Sequence, residues 1–386
     1  MTEHLKTKDQ RTHAAVFETE PDQDLDPVVF RRRLMTWYRH HARDLPWRGI
    51  SDPYCTWVSE VMLQQTRVAA VIEHYERFIQ RFPTMVALAL APEQAVMAAW
   101  SGLGYYRRAL LMHRAAKFVT KELSGALPNT AAGLRTLPGI GEYTCAAIAS
   151  IAFGESIAVV DGNVQRVLLR LTGRAEENTA ASRSFVLQQA AALVPRKRLE
   201  KNHNAAGDHN QAMMELGATI CLPRAPLCLQ CPVYAMCRTR GEHRTAPRTM
   251  QRSSQAAYLL SLRKNGTATE VLLEQRARDA SLMPGMFELP PLPQDAVQGR
   301  EPLLRLRHSI TNTNYYVQVF VASGPRDRAL RRAVVAAKED LHWTRTSTLG
   351  GMPLTGLARK ALQRLDVMEV LPLQLDQDEE QVSQPA

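Results

Sequence analysis

Four cysteines stand within seventeen residues of this 386-residue chain: Cys221, Cys228, Cys231 and Cys237, spaced C-x6-C-x2-C-x5-C. The thiolate is the ligating form of cysteine, and crowded thiolates repel unless a cation neutralises them. Four soft sulfurs suit an iron–sulfur cluster or a tetrahedral zinc. Zinc sites usually pair their ligands in two short knuckles. Only one such spacing occurs here, in a loop stiffened by Pro223, Pro226 and Pro232, so the spacing favours a 4Fe–4S cluster. Two disulfides would fit a small secreted scaffold, not a long chain whose N-terminal stretch lacks an apolar signal segment.

Glu60 lies in Ser59–Glu60–Val61–Met62–Leu63–Gln64–Gln65–Thr66, one helical turn from Trp57 and Gln64 and flanked by Val58, Val61 and Met62. A carboxyl in apolar company keeps its proton to higher pH, as a general acid near neutrality requires. The plainer expectation for a helix glutamate is exposure to solvent. Asp161 opens an amphipathic segment marked by Val164, Val167, Leu168 and Leu171, where a helix N-cap is the plain reading. Between them, Leu137–Pro138–Gly139–Ile140–Gly141 is a tight turn. Its glycines let backbone approach a ligand, and the next helix start offers amides to a phosphate oxygen. An ordinary helix–helix turn with a glycine cap would look the same.

These residues need elements to hold them. From Pro27 to about Met236 the apolar spacing is helical. A first helix has the face Val28, Phe30, Leu34, Trp37, Tyr38 and His41. A second opens at Asp52–Pro53, a third runs from Val68 to Phe82, and others cover 91–100 and 106–123. The hairpin helices start near Thr130 and run from Tyr143 to Phe153. Cys55 and Cys145 fit buried positions. Arg238 to Arg252 holds five arginines and one glutamate, and reads as a linker, either solvated or tracking phosphates. From Ala256 the period becomes two: Tyr258, Leu260 and Leu262, an Asn265–Gly266 hairpin, then Val271 and Leu273, and later Tyr315, Val317, Val319 and Val321. Helices are expected over 328–340 and 356–365. The organisation is a disordered extension (1–26), a helical domain (27–237), a basic linker (238–255), an α+β domain (256–375) and an acidic disordered tail (376–386).

A 45% hydrophobic content supplies real cores,. A formal net charge of +10 points to a polyanion, without choosing nucleic acid over an acidic membrane,. No apolar run approaches the ~20 residues of a membrane span. A cytosolic monomer without a membrane partner is expected.

The cysteine run and the LPGIG turn resemble the endonuclease III-like helix–hairpin–helix DNA glycosylases. The Glu60 segment, Gly102–Leu103–Gly104–Tyr105–Tyr106–Arg107 and Asn210–Gln211–Ala212–Met213–Met214–Glu215–Leu216–Gly217 closely resemble adenine DNA glycosylases, the MutY-like family. Strand-cutting relatives carry a lysine two residues after the second hairpin glycine. Tyr143 stands there, which implies a monofunctional enzyme that uses water. The resemblance implies removal of adenine opposite 8-oxoguanine or guanine in double-stranded DNA, with the base flipped out of the stack. Glu60 would protonate the adenine and Asp161 would stabilise the sugar cation, assisted by Tyr143 and Asn163. Trp47, Arg48 and Glu215 match positions near the adenine pocket. Gln65 and Tyr105, beside Gln64, match residues that wedge the emptied stack. Thr66 and Leu103 match positions near 8-oxoguanine. Leu137, Gly139 and Gly141 would face the DNA backbone, and the four cysteines would hold the cluster. Sliding-clamp or mismatch-repair partners follow by analogy alone.

The C-terminal part resembles the MutT/Nudix-like domain that this family uses to recognise 8-oxoguanine, without a Nudix box. The fold class expected is thus a mostly α helix–hairpin–helix glycosylase domain with a cluster loop, followed by an α+β MutT-like domain. The family's Phe–Ser–His lesion loop aligns with Ile310–Thr311–Asn312, after His308 and Ser309. Thr311 keeps a hydroxyl, whereas Asn312 offers an amide that cannot be protonated. The preference for 8-oxoguanine over guanine is therefore open.

Overall fold

The computed structural model describes residues 25–50, 52–196, 204–243, 251–280, 282–310, 312–322, 334 and 340–368. The segments 1–24 and 376–386, most of 328–340, and Thr311 lie outside the described residues.

The N-terminal part consists of helices. The first group is α2 (Pro53–Leu63), α3 (Val68–Arg81), α4 (Met85–Leu90), α5 (Glu93–Ala99), α6 (Arg107–Glu122), α7 (Ala131–Arg135) and α8 (Glu142–Ile151). They enclose one core, with Trp57, Phe78, Trp100, Met112, Leu134 and Ile148 at its centre. The second group is α1 (Pro27–His41), α9 (Gly162–Leu171), α10 (Ala180–Leu193) and α11 (Ala205–Thr219). Phe30, Leu34, Leu168, Leu169 and Leu216 fill its core. A helix of fifteen residues is marginal alone,. Burying Phe30, Leu34 and Trp37, at about 1.5–3 kcal/mol each, holds α1 in place. Val28 differs from expectation: it is 65% exposed, because Asp26 caps the helix and places Val28 in the first turn, off the buried stripe. Helix α4 was not legible, since MVALAL is short and apolar on all sides. Both Cys55 and Cys145 are buried, as expected.

The two groups meet through close backbone contact. A Cβ on Gly207 would lie 2.8 Å from the Ser150 carbonyl oxygen, so glycine lets α11 press against α8,. Asp161 is indeed an N-cap, accepting from the Val164 amide at 2.7 Å.

The C-terminal part is α+β. One sheet has the order β5–β1–β7–β6, formed by β1 (Arg252–Leu260), β5 (Pro291–Leu292), β6 (Leu304–Ile310) and β7 (Thr313–Val321). Strands β1 and β7 run parallel, with Ala256 opposite Val317. In the other sheet β3 (Ala268–Gln275) pairs antiparallel with β2 (Leu262–Asn265), β4 (Phe287–Glu288) and β8 (Leu341–Arg345). Helix α12 (Gly356–Arg364) covers a core of Leu260, Leu273, Val317, Val319 and Leu362. Two expectations change. The domain starts at Arg252, inside the stretch assigned to the linker. The alternation from Tyr258 does not reach Leu262: the chain passes from one sheet to the other at buried Ser261, leaving Leu262 39% exposed.

The two parts are docked. Ser101 Oγ donates to the Leu354 carbonyl at 2.9 Å, Tyr106 OH donates to the same oxygen at 3.2 Å, and Arg359 Nε donates to Ser101 Oγ at 3.1 Å. Met286 adds its side chain to the helical core. Ser101→Ala leaves the Arg359 donor without its acceptor in a buried place. It is expected to cost about 1–3 kcal/mol, read as a lower urea midpoint. An unchanged midpoint would mean that docking does not rest on this network.

Candidate active site

Glu60 sits on the last turns of α2 and is 5% exposed. Tyr143, on the first turn of α8, donates its hydroxyl to Glu60 Oε2 at 2.6 Å. The Met214 sulfur lies 3.5 Å from the same hydroxyl. Burial raises the Glu60 pKa from 4.5 to about 7; the tyrosine bond opposes this and the Asp161 charge adds to it. The Tyr143 phenol is pushed well above its usual value by burial and by Glu60, so it acts only as a donor here. Asp161 splits its oxygens: Oδ1 caps α9, and Oδ2 accepts from Asn163 Nδ2 at 2.8 Å. Asn163 Oδ1 in turn accepts from Arg166 Nη2 at 2.8 Å.

The wall opposite is an ion-pair group. Glu215, on α11, is 1% exposed. It accepts from Arg43 Nε at 2.7 Å, Arg43 Nη2 at 2.9 Å and Arg48 Nη2 at 2.6 Å. Burial alone would raise its pKa, but the two arginines hold it below the usual carboxylate range. Arg48 also donates to the Arg43 carbonyl at 2.6 Å, folding the segment before Trp47 back on itself. Trp47 packs edge-on against Tyr75, 5.4 Å between ring centres.

A cavity of about 180 Å³ brings these groups together: Glu60, Tyr143, Asp161, Asn163, Trp47, Arg48 and Glu215 all line it, and Thr66 is on its rim. It lies where the two helical cores meet. Arg43 and Met214 line it too and were not singled out by sequence. A glutamate inside the apolar run before Leu216 signals a cationic partner, but spacing does not say which arginine comes from 172 residues away.

A larger groove, of about 790 Å³, runs between the helical and α+β parts. Gln64, Gln65, Leu103 and Tyr105 line one side, and Met283, His308, Ser309 and Ile310 the other. Gln65 is exposed with φ 56°, and Tyr105 is 46% exposed with φ 47°. Gln64 Nε2 donates to Thr144 Oγ1 at 2.9 Å, tying this turn to α8. Thr66 lines the small cavity and Leu103 the groove, and Arg108 Nη2 donates to both, the Thr66 hydroxyl at 3.1 Å and the Leu103 carbonyl at 3.3 Å. The Ser309 hydroxyl is engaged by Asn314 Oδ1 at 2.6 Å.

The hairpin joins α7 to α8. Gly139 has φ 78°, and a Cβ there would lie 2.6 Å from Leu111 Cβ, so the turn requires glycine. Gly141 is the N-cap of α8. The Leu137 side chain is 3% exposed and belongs to the core. Its place beside the turn thus fixes the backbone of its neighbours, and its own side chain does not face solvent.

The four clustered cysteines are free thiols and leave α11 in a loop of two short 3-10 turns. Burial pushes the Cys231 thiol up to about 11, with added repulsion from Cys221, Cys237 and Cys228. Burial raises Cys228 as well, and then Cys237 and Cys221. Cys221 and Cys237 therefore lie near enough to Cys228 and Cys231 to disfavour the ionisation of those two thiols. Arg170 Nη1 and the Arg240 amide each approach a sulfur, Cys221 and Cys237 respectively, at 3.4 Å. Among the described residues, no three His, Cys, Asp or Glu side chains gather as they would around one metal ion. Four free thiols on one short loop are a donor set that suits a cationic group, although the side chains are not gathered around one point,.

A helix–hairpin–helix turn thus stands beside a buried glutamate and a capping aspartate. Residues 58–191 match the family described as "HhH-GPD superfamily base excision DNA repair protein". The chain is 47% identical over 222 residues to human adenine DNA glycosylase, covering 55% of this chain and 40% of that protein. It is 42% identical over 210 residues to adenine DNA glycosylase of Mycolicibacterium smegmatis, covering 54% of this chain and 68% of that one. Among solved structures, a thermostable thymine-DNA glycosylase superposes with a TM-score of 0.50 at 29% identity, covering 55% of this chain and 96% of that one. The chain belongs to the adenine DNA glycosylase family. It spans less than half the length of the mammalian relatives it matches.

Proposed function

We propose that this protein removes adenine mispaired with 8-oxoguanine or guanine in duplex DNA, hydrolysing the N-glycosidic bond and leaving an abasic site in an uncut strand. The observation that carries this is the Glu60–Tyr143 pair. A carboxyl whose pKa is raised to about 7 holds its proton near neutrality. Tyr143 occupies Oε2, which leaves Oε1 to carry that proton into the cavity. Donation to adenine N7 turns the base into a neutral leaving group, and general acid help of this kind is worth about 10²–10⁴-fold. Asp161, held by the Val164 amide and Asn163, would face the sugar cation. Water then adds to the sugar, and the proton it loses returns to the Glu60 carboxylate left by the first step. No lysine stands at the hairpin, where Tyr143 takes that place, so amine attack with strand cleavage has no nucleophile.

A flipped adenine would occupy the small cavity, with its partner base in the groove between the two parts. Gln65 and Tyr105 would fill the emptied stack. We assign the α+β part as the MutT-like reader of the partner base, working from the β6–β7 hairpin that holds Asn312. Cys221, Cys228, Cys231 and Cys237 would hold a 4Fe–4S cluster. When bound it supplies the positive charge that four thiolates need, and so anchors the loop.

A single-turnover assay on duplexes with A opposite 8-oxoguanine, G or C tests this. Each reaction is split between alkali and borohydride. Adenine release opposite 8-oxoguanine, with strand cleavage only after alkali and no trapped adduct, is the expected result. A borohydride-trapped adduct would replace water with an amine nucleophile, and release opposite C alone would overturn the substrate assignment.

A further inference from the structure

We propose that Arg108 is a positioning residue: one guanidinium fastens both wedge turns, Gln64–Thr66 and Leu103–Tyr105, to the end of the helix that carries Glu60. The inference rests on the functional reading above, because it is about how that reaction's base is extruded. Arg108 lies in the first turn of α6. Its Nη1 donates to the Val61 carbonyl at 2.8 Å, the Met62 carbonyl at 3.0 Å and the Gln64 carbonyl. Its Nη2 donates to Thr66 Oγ1 at 3.1 Å, the Gly104 carbonyl at 3.2 Å and the Leu103 carbonyl at 3.3 Å. No carboxylate is among these six acceptors. The counter-charge is the carbonyl end of α2, where a cation is favoured, together with the faces of Trp100 and Tyr105, 5.4 and 5.5 Å from the guanidinium carbon,.

The two turns need such a fastening. Gln65 and Tyr105 both sit in the left-handed region, which costs a non-glycine residue about 1–2 kcal/mol. Each turn alone would relax. A wedge must also resist a duplex that regains a few kcal/mol per step on restacking. Burial lowers the Arg108 pKa to about 10, so the charge persists at neutral pH. Lysine cannot replace this arrangement, since its donors radiate from one point and do not span two loops. The clamp therefore makes duplex opening and the placement of Glu60 one geometric event.

The test uses Arg108→Lys and Arg108→Met in the full chain, with 2-aminopurine next to the mispaired adenine. Its emission rises when the neighbour leaves the stack. Both variants are expected to bind duplex but to lose the emission rise, and to release adenine about 100-fold more slowly, the usual cost of a misplaced group. Glu60→Gln should show the reverse: a normal rise without release. Hydrogen exchange of the amides at 64–66 and 103–105 gives a second reading, and both turns should exchange faster in Arg108→Lys. A folded Arg108→Lys that extrudes, releases and protects these amides like the parent overturns the proposal. Parent protein that releases adenine from no duplex would instead sink the functional reading, and the extrusion and exchange signals would still judge the clamp.

Discussion

Glu60→Gln is expected to slow adenine release by about 10³-fold or more while leaving duplex affinity near that of the parent. The glutamine keeps the shape and can accept from Tyr143, but it has no acidic proton. The parent enzyme's release constant should be flat below about pH 7 and fall towards tenfold per unit above it, because only the protonated fraction of Glu60 is active. Release by Glu60→Gln at the parent rate would assign the acid elsewhere.

The same substitution carries a stability signature of opposite value. A carboxyl whose folded pKa lies above its unfolded value binds its proton more tightly when folded. Its contribution is full below the unfolded value of about 4.5 and is lost as pH rises through about 7,. At pH 8 the folded protein therefore bears a buried charge with a cost on the order of 3 kcal/mol,. Glu60→Gln should melt higher than the parent at pH 8 and close to it at pH 4.5. Activity and stability trading in this direction would mark Glu60 as a group held for chemistry.

How much of this could be read from sequence depended on the range of each interaction. Glu60 was legible because its apolar company is local, within one turn of α2. Asp161 was legible as a cap, which it is, and its second oxygen is held by Asn163. The role of Arg108 was not. In Tyr105–Tyr106–Arg107–Arg108 it resembles a surface arginine, and its partners at 61–66 come from another helix. Arg43 was missed for the same reason. In the α+β part the alternation gave strands, but the parallel pairing of β1 with β7 is set by packing across more than fifty residues. The break at Ser261 lacks a glycine or proline to announce it. The cysteine spacing suggested a cationic group, and the structure adds that burial, and then the neighbouring thiols, disfavour the ionisation of Cys228 and Cys231.

Glu215→Leu is expected to destabilise the fold by about 2–3 kcal/mol. Removing one member of a buried ion pair costs about 3–5 kcal/mol, and the arginines' side-chain exposure, 37% for Arg43 and 16% for Arg48, reduces that figure. The effect should extend to catalysis. Glu215 is what holds Arg43 and Arg48 against α11, and between them they fix the segment that carries Trp47 to the cavity. Release opposite 8-oxoguanine should fall by about 100-fold. Glu215→Gln separates the causes: it keeps acceptor and shape, loses the charge, and should lie between parent and Glu215→Leu in both readings. The pH directions also differ from those at Glu60. The folded pKa of Glu215 lies below its usual value, so its stabilisation is present above the ordinary carboxylate range and is lost as pH falls through that range and below. Urea midpoints of the parent should thus be eroded from the acid side by Glu215 and from the alkaline side by Glu60. A Glu215→Leu protein with the parent midpoint at pH 6 would show that packing alone holds the two arginines. The cavity wall would then be hydrophobic in origin, and the charge group would serve only to orient the ligand.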